Sequence, residues 1–200
     1  MPHSQRDASL NVDPARQDAS PVGQWVPGYE IPVINERVAR AGAGLLFLPG
    51  LVLYVIAATT GSAEALKPFG ALFIIDMFIR VTAGEKWAPS LALGALFVRR
   101  QTPEWVGAPQ KLFAWWMGYG MGVVACAATG LFQAPLWVTL ALCGLCLSFL
   151  FLEVAFGICV GCKLQGLFSR RPPMYCAGDT CAAPTSGNHI SPIERTTDAS

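Results

Sequence analysis

Apolar residues in this chain are gathered into long blocks separated by short polar breaks. One block runs from about Val38 to Thr60 and a second from Leu66 to Ala83. A third, from Phe113 to Ile158, contains Glu153 as its only charged residue and is divided by Gln133-Ala134-Pro135 into two lengths. Crossing the hydrocarbon of a bilayer takes about 20 residues at ~1.5 Å rise each. The spacing predicts an all-α membrane protein, a four-transmembrane-helix bundle with spans about 38–60, 66–83, 113–133 and 136–158, inside a domain covering residues 31–168. Residues 1–30 and 169–200 are polar and hold too few large apolar side chains to bury a core, so both are expected to be flexible tails. The first has no apolar run of the kind a signal peptide requires.

A shorter stretch, Ala88 to Val98, is about half the length of a span and is flanked by Trp87 and by Arg99 and Arg100. Those anchors suit a helix lying in the membrane interface between the second and third spans. An ordinary loop helix packed on the bundle is the competing expectation.

Composition agrees with lipid surroundings, since 53% of the chain is hydrophobic and 14% charged, against about 25% charged in soluble domains. A formal net charge of +1 argues against a nucleic-acid surface, which needs clustered unpaired basic residues. Four spans put both termini and the 84–112 loop on one side. Twelve of the 14 Lys and Arg fall on that side, with Lys67 alone on the other and Arg80 within a span. The positive-inside rule then makes that side cytoplasmic, and both termini with it. The opposite face keeps only the short connections 61–65 and 133–135, so soluble chemistry is expected to face the cytosol.

The third span repeats a small residue every four positions, at Ala114, Gly118, Gly122, Cys126 and Gly130. Such a stripe lets helix backbones approach closely. Packing within the bundle is the first reading, and a homodimer through the Gly118 and Gly122 face is the second. Asp76 and Arg80, four apart in the second span, share a helical face and can pair. Glu153 lies in the inner half of the fourth span at a depth similar to Arg80, so a contact between those two helices is expected. The three together carry one excess negative charge, which calls for a proton, water or a bound cation. As an intramembrane charge cluster, Asp76, Arg80 and Glu153 are functional candidates, with a structural Asp–Arg pair as the rival reading.

Seven cysteines, several of them in apolar runs, do not suit a secreted disulfide scaffold. They include three pairs: Cys143 and Cys146 within the fourth span, Cys159 and Cys162 at its cytoplasmic end, and Cys176 and Cys181 in the tail. A C-x-x-C supplies two sulfurs near enough for a disulfide or a two-thiolate metal site. Cys159 and Cys162 are the best-placed reactive pair, with Lys163, Arg170 and Arg171 close in sequence. A helix C-terminus would oppose thiolate formation there, and Gly157 and Gly161 are expected to end the helix and release the pair from that field. Cys143 and Cys146 sit among apolar residues and are expected to pack, as is Cys126.

Two motifs add a resemblance. Val33-Ile34-Asn35-Glu36 before the first span, and Phe156-Gly157-Ile158-Cys159-Val160-Gly161-Cys162 ending the last, resemble an uncharacterised family of small bacterial integral-membrane proteins. Asp76-x-x-x-Arg80 and Pro109-Gln110-Lys111 also fit that family, with Gln110 a departure because it separates the proline from the lysine. The similarity covers about residues 31–168. It implies a multi-pass protein of the bacterial cytoplasmic (inner) membrane and marks Asn35, Glu36, Asp76, Arg80, Cys159 and Cys162 as signature positions. No reaction follows from it.

Two functions compete on this reading. In the first, Cys159 and Cys162 cycle between dithiol and disulfide, or carry a persulfide, in exchange with a cytosolic thioredoxin-like or sulfurtransferase partner. Quinone coupling is an extension by analogy to other thiol oxidoreductases. In the second, Cys159, Cys162, Cys176 and Cys181 bind a soft metal such as Cu, Zn or Hg, and the intramembrane charges assist its passage. A structural bundle without catalysis stands beside both. The sequence requires no cofactor.

Overall fold

A computed structural model describes residues 22–27, 29 and 31–157. Strand β1 (Val33–Asn35) leads into helix α1 (Glu36–Thr60), followed by α2 (Leu66–Thr82) and α3 (Pro89–Val98). Strand β2 (Trp105–Gly107), α4 (Ala108–Gly130) and α5 (Leu136–Phe156) complete the order. Each boundary has a local cause. Asn35 is extended, and its side-chain carbonyl accepts the Arg37 N–H at 3.1 Å, capping α1 with Glu36 in the first turn. Gly61, with φ +71°, ends α1 in the left-handed region. Helices α3 and α4 each carry a proline in the first turn, where a missing N–H costs nothing.

β1 and β2 pair antiparallel, Val33 opposite Gly107 and Asn35 opposite Trp105. Gln24 bridges Val33 from the other side. This small ribbon ties the start of α1 to the start of α4. It also moves the expected tail boundary: Val22 is buried in the core rather than free, so the folded part begins before residue 30.

Helix α1 packs on α5, α5 on α4 and α4 on α2. The small-residue stripe of α4 faces α2, because a Cβ on Gly122 would stand 3.0 Å from the Phe73 ring. Helix α3 crosses α1 so closely that a Cβ on Gly94 would lie 2.8 Å from the Gly42 nitrogen. Its other face leaves Trp87, just before it, and Phe97 bare at 74% and 70% exposure. The helix expected there therefore packs on the bundle and presents an apolar outer face.

Three helices, α1, α4 and α5, are long and apolar enough to cross a membrane. Only 22%, 17% and 17% of their apolar windows are buried within the protein, so most of that surface needs an apolar solvent. The sequence led us to expect four. Helix α2 has 17 residues, about 26 Å at ~1.5 Å per residue, short of the roughly 30 Å of hydrocarbon.

Candidate functional site

Buried charge collects at the end of the bundle where β1 and β2 pair. Lys111, in the first turns of α4, lies with its Nζ 2.7 Å from Glu36 Oε2 and 2.9 Å from Glu153 Oε1. Glu36 is fully buried, Lys111 nearly so, and Glu153 is the most open of the three. Helix ends make this arrangement costly on its own: a cation at an N-terminus and a carboxylate at a C-terminus both oppose the local dipole. Each compensates the other, and Glu36, at an N-terminus, is the one that agrees with its helix. The expected contact between Glu153 and Arg80 is replaced by this one. The reason is that α4 starts at Ala108, five residues before its apolar block, which carries Lys111 into the bundle.

Arg40, one turn into α1, closes the same end. Its Nη2 donates to the Val154 carbonyl at 3.2 Å, and the guanidinium covers Gly157, whose Cβ would fall 3.2 Å from Nη1. Gly157 has φ +64° and returns its N–H to the Glu153 carbonyl at 3.1 Å, so α5 stops at Phe156. The helix break expected at Gly157 is therefore present. Cys159, Cys162, Cys176 and Cys181 lie outside the described residues.

Asn35 joins the ribbon as well as capping α1, since its side-chain oxygen also accepts from the Glu104 N–H at 3.3 Å. Its role here is structural.

The Asp76–Arg80 pair forms as the four-residue spacing predicts, Arg80 Nε to Asp76 Oδ2 at 2.7 Å. Its partner beyond α2 is Ser90 of α3, a residue that sequence reasoning missed. The Ser90 N–H donates to Asp76 Oδ1 at 2.9 Å, the Ser90 hydroxyl donates to the same carboxylate, and that hydroxyl accepts from Arg80 Nη2. Asp76 thus acts as a remote cap on the N-terminus of α3, a favourable place for a carboxylate. Arg80 also lies over the Trp115 ring, 5.6 Å from its centroid. Every charge in this cluster has a partner, and it reads as the fastening of α3. Nearby, burial pushes the Glu85 carboxyl up, with Lys86 pulling it partly back.

The opposite end of the bundle is different. A cavity of about 450 Å³ lies between α2, α4 and α5, with Gly50 of α1 at one wall. Cys126, Cys143 and Cys146 all line it, and all three thiols are free and half-buried. Among the described residues no group of three His, Cys, Asp or Glu is placed to hold a metal ion.

Residues 34–170 match the family model of a domain of unknown function, DUF4395, and the chain belongs to that family. No curated protein and no solved structure matches the chain.

Proposed function

We propose that this protein is a membrane thiol-exchange protein in which Cys159 and Cys162 cycle between dithiol and disulfide, or carry a persulfide. The partner is a cytosolic thioredoxin-like or sulfurtransferase protein. The observation that carries the reading is the end of α5, where Gly157 stops the helix and the Arg40 guanidinium covers it. Cys159 follows two residues later, at most about 7 Å of extended chain. Arg40 is then within chain reach of the first thiol, and a nearby cation favours the thiolate that attacks a disulfide.

The reading takes α2 as a fourth span, short but bare on its outer face, with Leu72 65% and Ile75 55% exposed. It keeps both termini in the cytoplasm through the Lys and Arg asymmetry. The test is maleimide mass-tagging of the purified protein across a glutathione potential series, with bound metal measured in the same samples. Cys159 and Cys162 titrating together as a two-electron couple without stoichiometric metal is the expected result. Thiols that stay reduced throughout and are shielded by a bound soft metal would replace exchange with metal handling.

A further inference from the structure

We infer that the cavity between α2, α4 and α5 binds the ring of a lipid-soluble quinone, and that Cys143 and Cys146 reduce it. This inference is independent of Cys159 and Cys162. Its basis is where the thiols converge and what can reach them. Cys143 and Cys146 stand three apart on α5, which on a helix brings their Cα atoms to about 5 Å, inside the roughly 4.4–6.8 Å range of a disulfide. Both face the cavity, and Cys126 enters it from α4.

The walls are otherwise apolar: Phe73, Ile74, Leu147 and Leu150 among them. Ala71 and Ile75 line the cavity and are also exposed on the outer surface of α2, so the cavity opens to the outside past these two residues. In a bilayer that opening faces acyl chains, which admits a lipophilic molecule and excludes a water-soluble exchange protein. A volume of about 450 Å³ is in the range of small-ligand sites, roughly 300–1,000 Å³, and accommodates a substituted six-membered ring with the first carbons of its tail. The polar features are few. Thr139 is buried, and its hydroxyl and that of Thr129 lie 3.0 Å apart at the cavity wall. Because Thr129 donates to the Ala125 carbonyl at 2.8 Å, the hydrogen between the two comes from Thr139, which can turn to a ring carbonyl instead. Lys67, whose ammonium pairs with Glu64, also lines the cavity.

The step balances without another reactant. Two thiols lose two electrons and two protons as the Cys143–Cys146 disulfide forms, and the quinone takes both pairs at its two oxygens to become the quinol. A simple acyl chain could fill the same space but cannot accept electrons, which separates the two occupants.

The test uses the full chain in lipid nanodiscs with Cys159, Cys162, Cys176 and Cys181 all changed to Ser, kept anaerobic and mixed with decylubiquinone. One quinol formed per chain is expected, with a Cys143–Cys146 disulfide found by peptide mass spectrometry. Cys143→Ser with Cys146→Ser should abolish both. Ala71→Phe, at the exposed rim, removes no thiol and should raise the quinone concentration for half-maximal rate at least about tenfold. Quinone left unreduced with both thiols still open to maleimide after unfolding would overturn the inference. So would reduction that persists in the double Ser variant, or that is unchanged by Ala71→Phe in protein of normal elution and helical content.

Discussion

The two ends of this bundle use opposite chemistry to hold the same helices. At the β1–β2 end, helix starts and stops are joined by charged side chains: buried Lys111 between Glu36 and Glu153, half-buried Arg40 over Gly157, and buried Asp76 with Arg80 on Ser90. At the other end the same helices enclose an apolar cavity with three half-buried thiols. Buried ion pairs are poor sources of stability compared with apolar packing of similar volume, yet removing one member leaves a stranded charge. The charged end should therefore be fragile to single substitutions and forgiving of matched ones, and the cavity end the reverse.

The largest effect is expected at Lys111. Lys111→Met removes the cation that lies between Glu36 and Glu153, and should lower stability by about 3–5 kcal/mol, read as an earlier transition in a sodium dodecyl sulfate titration. Adding Glu36→Gln and Glu153→Gln to the same variant should recover most of the loss. A Lys111→Met protein as stable as wild type would remove the idea that charge fastens this end.

Next is the fastening of α3. Ser90→Ala deletes a hydroxyl that gives to Asp76 and receives from Arg80 while leaving the Ser90 N–H in place. The expected loss is about 1–3 kcal/mol, and hydrogen exchange should rise in α3 before it rises in α1. A similar loss of about 1–3 kcal/mol is expected for Gly94→Ala, since its new Cβ meets the backbone of Gly42, which cannot move aside. Uniform exchange across the bundle in either variant would show that α3 is not a separately attached element.

Smaller still, Gly157→Ala forces a side chain into the left-handed region and against Arg40. It should cost about 1 kcal/mol and shift the alkylation rate of Cys159 against pH, whereas a change in stability alone would speak against any link between Arg40 and the thiol. The smallest effect belongs to Glu85. Its carboxyl is held above the ordinary range by burial, so it favours the fold below the unfolded value and loses that contribution as pH rises through the folded one. Glu85→Gln should be slightly more stable than wild type at neutral pH and indistinguishable at about pH 4.

Much of this was legible from residue order, for reasons that differ by element. Long apolar runs carry their own length, so α1, α4 and α5 stand close to where hydropathy puts them, and Asp76–Arg80 follows from helical spacing alone. Lys111 was hidden because it precedes its apolar block and so counts as a loop charge. The proline at position 109 was the available signal, since proline belongs in a first helical turn. Ser90 and the β1–β2 ribbon depend on residues brought together through space, and three-residue strands 70 positions apart leave no periodic trace. The cavity depends on the space between three helices, which no single helix records.

The difference between the two ends is tested most directly by labelling thiols in intact membranes opened to both faces. The comparison is between a charged, water-soluble methanethiosulfonate and the membrane-permeant N-ethylmaleimide, each site being read by mass spectrometry. The account predicts that, in membranes first reduced with dithiothreitol and washed anaerobically, the charged reagent modifies Cys159 and Cys162 and spares Cys126, Cys143 and Cys146, while N-ethylmaleimide reaches all five. Charged reagent modifying the cavity thiols as fast as Cys159 would contradict it.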